Sequence, residues 1–184
     1  VDRFDSVTGD RETFLPWFQA AIVAGMQAGA PVGTPLTRKI AKVTSITQDS
    51  SWNPVDDAHN MILAGLCFME AHRKGRRIVR NVTTHLSTSN LAFVEASVNQ
   101  AANFAVFNLR DGLEAVVGQP GFAGTVAAAK SGAQGKLELL MREGTIVRYQ
   151  SLDATLTAAV MDVSVEIAPI IPVNFVPTTV HLVT

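Results

Sequence analysis

The sequence predicts an α+β protein, in which the end of an α/β layer is followed by a small unit of two helices and a β-sheet. Three observations predict this class: the first half mixes helical and extended patterns, two long helical patterns follow, and the chain ends in β-type alternation. The lead-in Val1–Asp10 shows no usable period. With 184 residues, 47% of them hydrophobic and 17% charged, the chain can bury a core as one medium domain or two small ones.

The first half reads helix, strand, helix, strand, strand. We expect the first helix to start near Leu15, because Pro16 fits only the first turn of a helix. An extended stretch follows over Thr37–Thr47, and a short helix follows over Ala58–Leu66, after aspartates that suit the positive end of its dipole. Cys67–Ala71 is then predicted as a strand. The apolar residues of the first helix stand four apart: Phe14, Phe18, Ile22 and Met26.

The stretch Arg76–Thr84 is predicted to be the strand that joins the two parts of the chain. It is dense in β-branched residues, and Gly75 supplies a turn residue directly before it. Its apolar and basic residues do not alternate cleanly between the two faces. We therefore expect a strand covered by helices, with its arginines near the ends.

Two long helical patterns follow this strand. The first runs over Leu91–Val117 and stops at Gly118. The second runs over Phe122–Glu143, where Gly132 and Gly135 each weaken the helix by roughly 1 kcal/mol relative to Ala, unless close packing is needed there. Four apolar residues of the second helix are expected to be buried: Phe122, Val126, Leu137 and Leu140.

Three β segments complete the chain, over Thr145–Leu152, Ala159–Ala168 and Val173–Thr184. Pro177 cannot donate to a ladder, so it indicates an edge or a bulge in the third segment. That segment carries no lysine or arginine to protect an exposed edge. Pairing with the sheet of a neighbouring subunit would cover the edge. Folding back as an intramolecular third strand is the alternative.

The sequence contains no recognisable catalytic or metal-binding signature. Its four histidines form no His-x-x-x-His pair, and its single cysteine, Cys67, is interpreted as a small buried hydrophobe among Leu63, Leu66 and Phe68. A catalytic triad could be assembled from Ser87, His85 and Asp56. The sequence has no Gly-x-Ser-x-Gly elbow, however, that would position the serine. We therefore predict no enzyme activity, no metal and no cofactor. The alternative is a fragment of a serine hydrolase with an α/β core.

Charge and hydropathy exclude further classes. A net charge of −1 argues against a nucleic-acid partner. The sequence shows neither a signal peptide nor an apolar run of about 20 residues that would span a membrane. The basic cluster Arg73–Arg77 is interpreted as a solvated turn, a protein interface or, least in keeping with the net charge, a polyanion patch. Because the chain begins at Val1, we expect it to be the C-terminal part of a longer protein.

Four short sequences occur in a specific order along the chain: Ala21–Ala28, Gly33–Arg38, Ala64–Leu66 and Gly75–Thr84. The last of them reads Gly-Arg-Arg-Ile-Val-Arg-Asn-Val-Thr-Thr, and two helices and a β-rich end follow it. This order resembles the C-terminal half of a contractile tail sheath protein, as in myovirus-type phages and related contractile injection systems. The resemblance covers essentially the whole chain.

The resemblance implies an architecture and a set of partners. Val1–Leu86 would be the last part of an α/β core of subtilisin-like topology, and Ser87–Thr184 a C-terminal domain that faces the inner tube and ends in a β-strand arm. Sheath subunits stack as hexameric rings in a helical array and exchange terminal strands. The implied partners are other sheath subunits, the inner tail tube protein, and baseplate and tail terminator proteins. The implied location is the virion tail, after assembly in the host cytoplasm.

Two sets of residues are predicted to contact other subunits or proteins. The cations of the second long helix are predicted to face an acidic tube surface: Lys130, Lys136 and Arg142. The terminal arm is predicted to pair with a neighbouring subunit through five residues: Val173, Phe175, Val180, His181 and Leu182.

Overall fold

The computed structural model describes residues 2–4, 8–15, 17–46, 53, 56–85 and 93–173. In chain order these residues form β1 (Asp2–Phe4), β2 (Arg11–Thr13), α1 (Trp17–Ala28), β3 (Ile40–Ala41), α2 (Asp56–Leu63), β4 (Met69–His72), β5 (Gly75–Ile78), α3 (Ala96–Leu113), a 3-10 turn (Glu114–Val116), α4 (Ala123–Arg142), β6 (Ile146–Thr157) and β7 (Val160–Pro169). The mixture of helices and sheets confirms the predicted α+β class. No described helix is both long and apolar enough to cross a lipid bilayer.

A three-stranded sheet in the order β3–β5–β4 forms the centre of the first half. Both strand pairs are antiparallel, whereas neighbouring strands of an α/β layer usually run parallel. For β4 and β5 the reason is local, because the tight turn between them can join only antiparallel strands. The sheet packs against α1 through a core that contains Leu36, Ala41, Met69 and Ile78, with Ile22, Val23 and Met26 of the helix against it.

The strand predicted over Arg76–Thr84 is shorter in the structure. β5 ends at Ile78, which is fully buried, and the chain bends at Val79. Val82 then forms an isolated antiparallel bridge with Glu95, directly before α3. The predicted strand length was wrong because β-propensity does not determine where a strand stops pairing with its neighbouring strands.

Two other strands of the first half also differ from expectation. The extended stretch predicted over Thr37–Thr47 is a strand only at Ile40–Ala41. The lead-in, for which no element was predicted, contains β1, and β1 pairs with β2 in antiparallel register from Asp2–Thr13 to Phe4–Arg11. Short strands of this kind contain too few residues to show a period of two.

The second half places α3 and α4 against the β6–β7 hairpin. Its core contains Ala105 of α3, Leu137 and Leu140 of α4, and Ile146 of β6, all 2% exposed or less. β6 and β7 pair in antiparallel register from Ile146–Pro169 to Thr157–Val160. The register shifts between Gln150 and Asp153, where Ser151 has a φ of 56°. β6 continues through this bulge to Thr157, beyond the predicted end at Leu152.

The predicted buried face of α4 is correct in its second half and wrong at its start. Leu137 and Leu140 are buried, and Val126 is half-buried. Phe122, however, is 60% exposed. It precedes the first helical residue as the N-cap in extended geometry, so it does not share the core-facing stripe of the helix.

The two glycines inside α4 have different surroundings, which leads to a prediction. A Cβ at Gly132 would lie 3.3 Å from the carbonyl oxygen of Gly112 in α3, whereas a Cβ at Gly135 would meet no atom within 4 Å. Gly135→Ala is therefore expected to stabilise the protein by up to about 1 kcal/mol. Gly132→Ala should gain clearly less, because it pushes the helices apart. Denaturant unfolding measures both; equal stabilisation would show that Gly132 is not needed for close packing.

Candidate assembly surfaces

A buried polar junction connects the first half of the chain to the second. It is centred on Asn81, which is 5% exposed. The Asn81 amide nitrogen donates to Gln27 Oε1 in α1 at 2.6 Å, and Gln27 Nε2 donates to Gln100 Oε1 in α3 at 2.6 Å. The backbone carbonyl of Asn81 accepts a hydrogen bond from the Ala96 N–H at 3.0 Å. This network links α1 to the beginning of α3.

An ion pair lies in the same junction. Arg80 Nη2 is 2.5 Å and Arg80 Nε 2.7 Å from Glu95 Oε1. The Glu95 side chain is 4% exposed and that of Arg80 is 20% exposed, so the pair is largely removed from water. Glu95 is the N-cap residue of α3, where a negative charge also suits the helix dipole. A carboxylate this deeply buried requires a partner.

The junction continues through Thr83. Its backbone N–H donates to the Val94 carbonyl oxygen at 2.8 Å, and its hydroxyl donates to the Phe93 carbonyl oxygen at 2.6 Å. The Arg-x-Val-Thr-Thr sequence that contributes to the family resemblance thus joins the two halves of the chain. Sequence reasoning predicted a strand there and missed the junction. The available signal was the pair Arg80 and Asn81, which stands between the apolar residues Val79 and Val82.

Cys67 borders the junction and is half-buried. Its Sγ lies 3.7 Å from Asn81 Oδ1, and burial raises the pKa of the thiol, which favours the protonated form. Two of its expected apolar neighbours do not form a buried cluster: Leu63 is 62% and Leu66 is 53% exposed. That part of the prediction was wrong because both lie at the end of α2 and the turn after it.

The basic cluster Arg73–Arg77 lies at the β4–β5 hairpin. Arg73 and Lys74 are exposed at the turn, while Arg77 forms an ion pair with Glu70 across the two strands. The exposed pair fits the interpretation of a solvated turn, and Arg77 is engaged within its own sheet.

The three cations predicted to contact a tube all lie on α4, but not on one face. They are six residues apart, so each lies about 120° around the helix axis from the next. Lys130 Nζ is 3.4 Å from Asp153 Oδ1, and Lys136 Nζ is 2.8 Å from Asp111 Oδ2. Arg142 is exposed in the last turn. A single flat acidic surface cannot contact all three at once.

Of the residues predicted for strand exchange, the structure describes Val173, which is 82% exposed beyond the end of β7. The other four lie outside the described residues: Phe175, Val180, His181 and Leu182. Within the described part of the chain, β6 and β7 form a two-stranded sheet, and neither outer edge pairs with another strand. Each edge therefore offers backbone groups to a further strand.

An uncharged groove lies at the turn end of the β6–β7 hairpin. We name it the tip groove; it has a volume of about 720 Å³ and lies between the hairpin, the 3-10 turn and the first turns of α4. Among the residues that the structure describes, no charged side chain lines it. Its lining includes Val116, Val117, Thr125, Ala129, Leu156 and Val160.

The residues considered for hydrolase chemistry do not form a described site. The imidazole of His85 is exposed and 5.5 Å from the Phe93 ring, and Asp56 accepts a hydrogen bond from the Asn53 side chain at 2.7 Å in the first turn of α2. Ser87 lies outside the described residues. Within the described ranges, no group of three or more His, Cys, Asp or Glu residues could hold a metal ion.

No family model matches the chain. A tail sheath protein of Bacillus phage SP01 is 29% identical to it over 180 residues, which is 96% of this chain and 31% of that protein. The predicted resemblance to contractile tail sheath proteins is confirmed. The similarity extends across both halves of the chain and the junction between them. The chain spans about a third of the length of this curated relative.

A solved structure shows the same fold. A chain in the cryo-EM structure of the anti-feeding prophage (AFP) baseplate, 6-fold symmetrised, matches with a TM-score of 0.74 at 12% sequence identity. The match covers 90% of this chain and 49% of that chain. At this identity the likeness shows that the two chains share a fold.

Proposed function

We propose that this chain is part of a structural subunit of a contractile tail sheath. In this proposal the subunit polymerises as stacked hexameric rings around an inner tube, and contraction drives the tube through the target envelope. The observation that carries the proposal is the 29% identity to a phage tail sheath protein over 96% of the chain. The fold shared with a chain of the anti-feeding prophage baseplate structure supports an assembly role.

The proposal includes a domain division. Residues 1–86 would be the end of an α/β core of subtilisin-like topology that continues in the rest of the protein, and residues 87–184 the C-terminal domain. The separate apolar cores around Ile78 and around Leu137 support two units. The junction at Asn81 and Glu95 would fix one unit relative to the other, so that force on one is transmitted to its neighbour.

The proposed partners are other sheath subunits, the inner tail tube protein, and baseplate and tail terminator proteins, and the proposed location is the virion tail after assembly in the host cytoplasm. Contact with neighbouring subunits would involve the terminal arm, through Val173, Phe175, Val180, His181 and Leu182. The unpaired edges of the described β6–β7 sheet support this role, because an added strand would complete their hydrogen bonding.

Contact with the tube is proposed for α4, and it leads to a charge-reversal prediction. Replacing Lys130 and Lys136 together by Glu is expected to reduce assembly on tubes, measured by co-sedimentation at low and high salt. Each exposed ion pair contributes only about 0–1 kcal/mol, so the fold should persist.

The internal partners of these lysines provide the control. A swapped variant that also carries Asp153→Lys and Asp111→Lys restores both ion pairs within the subunit but keeps the reversed charges on α4. If the tube contacts α4 through the positive charges of these lysines, the swapped variant should still assemble poorly. Recovery of assembly by the swap would show that Lys130 and Lys136 serve only their internal pairs.

The experiment that tests the proposed function is electron microscopy of the complete purified protein. We expect ringed or helical tubes. A protein that stays monodisperse and small at high concentration would contradict the sheath proposal and favour a soluble binding module.

The alternative class, a serine-hydrolase fragment, makes a different prediction. A broad serine-hydrolase probe is expected to leave the complete protein unlabelled. Stoichiometric labelling at any serine would support the hydrolase and overturn the proposal of a structural subunit without catalysis.

A further inference from the structure

The tip groove has the character of a binding surface for an apolar, uncharged segment. The described part of its lining contains no acidic or basic side chain. Two of the apolar side chains that line it are largely exposed: Val117 at 80% and Val160 at 67%. An uncharged, concave surface with exposed apolar residues at its rim is typical of an interaction site rather than of a solvated surface.

A segment with matching properties lies at the opposite end of the same hairpin. Beyond β7 the chain continues as Ile170–Val173, in which Ile171 is 62% and Val173 is 82% exposed. The sequence from Ile167 to Thr184 contains no Asp, Glu, Lys or Arg. Pro169 and Pro172 favour an extended backbone. An extended apolar segment of this kind fits the tip groove, because no charged side chain in the described lining would lose its hydration when the segment binds.

The segment cannot reach the groove of its own molecule. Pro169 pairs with Ile146 at one end of the hairpin, and Val160 pairs with Thr157 at the other, where the tip groove lies. A strand of 10 residues separates these ends, or about 33 Å. Residues 170–173 follow β7 directly, so a segment in the groove must come from another copy of the chain.

We infer that the tip groove of one copy binds the segment Ile170–Val173 of a second copy. The inference rests on the proposed assembly function and names the partner surface for one of its contacts. Such a contact joins different surfaces of the two copies. Head-to-tail contacts of this kind form closed rings or open helical arrays rather than isolated dimers. The tip groove is distinct from the outer sheet edges, because it lies at the turn end of the hairpin, beside the 3-10 turn and the first turns of α4.

Disulfide trapping in the complete protein tests this contact. In a Cys67→Ala background, Val160→Cys and Ile171→Cys are made in separate variants that carry different tags, and the two proteins are co-expressed and oxidised. A disulfide requires Cα atoms within about 7 Å. We expect a heterologous cross-link between the two tagged chains. Ser131→Cys, on the exposed side of α4, replaces Val160→Cys in the control and should give none.

A second experiment places charged side chains on the two sides of the proposed contact and measures self-association. Val160→Glu and Ile171→Glu each alter a side chain that is largely exposed, so both variants should fold. Each is expected to weaken self-association about tenfold or more. Combining Val160→Lys with Ile171→Glu should restore part of the loss, because the two charges then attract across the contact.

The outcomes separate this inference from the sheath proposal. Tubes that form without the Val160–Ile171 cross-link, and that tolerate both glutamates, would overturn the inference and leave the function standing. A cross-link only between two Val160→Cys chains would show that the tips meet symmetrically, and would also overturn it. If a part of the same protein outside this chain covers the groove, the cross-link is absent and the inference fails. Absence of both tubes and cross-links would contradict the sheath proposal as well.

Discussion

Deleting Phe175–Thr184 is expected to abolish polymerisation of the complete protein while leaving its melting temperature nearly unchanged. The reason is that these residues would complete the sheet of a neighbouring subunit rather than of their own. Within the described residues, β6 and β7 already form the hairpin that covers α3 and α4. The core of this half therefore does not depend on a third strand. Electron microscopy measures polymerisation, and differential scanning calorimetry measures stability.

The prolines before the deleted segment support this expectation. Pro169 ends β7, and Pro172 follows it, so the chain leaves the hairpin in an extended form rather than in a tight turn. As a control, removal of Val183 and Thr184 alone leaves most of the arm in place and should still allow polymerisation. A deletion of Phe175–Thr184 that unfolds the isolated subunit would instead support an intramolecular third strand.

Arg80→Ala is expected to destabilise the protein by about 3 kcal/mol. The substitution removes the cation that contacts the Glu95 carboxylate, whose side chain is only 4% exposed. Removing one partner of a buried ion pair is costly because the remaining charge has lost its solvation in water and its partner together. The value is placed at the low end of the range for buried pairs because the Arg80 side chain keeps 20% of its surface exposed.

Lys130→Ala provides a matched control for this measurement. It also removes a cation from an ion pair, but the side chains of Lys130 and Asp153 are 49% and 62% exposed. The expected loss is therefore about 0–1 kcal/mol. Denaturant unfolding of both variants gives the comparison. If Arg80→Ala costs no more than Lys130→Ala, the Arg80–Glu95 pair does not stabilise the junction.

The helices were the part of the fold that the sequence predicted best. Their apolar residues recur every three or four positions over several turns, so α3 and α4 could be placed within a few residues. The β6–β7 hairpin was predicted for a similar reason, because Met161, Val163, Val165 and Ile167 alternate with polar residues. Phe122 was misplaced because periodicity does not reveal which residue is the N-cap.

Pairing between distant residues could not be predicted in this way. The antiparallel sheet of β3, β5 and β4 depends on which strands meet, and the pattern of Arg76–Thr84 only indicated extended backbone. The junction depends on Asn81 meeting Gln27 across 54 residues of sequence, and on Arg80 meeting Glu95. The tip groove likewise arises from three separate elements. These features follow from tertiary packing, which a local pattern does not encode.

The most direct test of the sheath proposal is a cryo-EM reconstruction of tubes formed by the complete protein. The account predicts a repeating subunit into which this chain fits with α4 toward the lumen and with residues 170–184 passing onto a neighbouring copy. A reconstruction in which each subunit keeps residues 170–184 on its own β6–β7 hairpin would contradict the exchange of the terminal arm but not the sheath function. A preparation that yields only monomers, or tubes whose repeating subunit this chain does not fit, would contradict the sheath proposal itself.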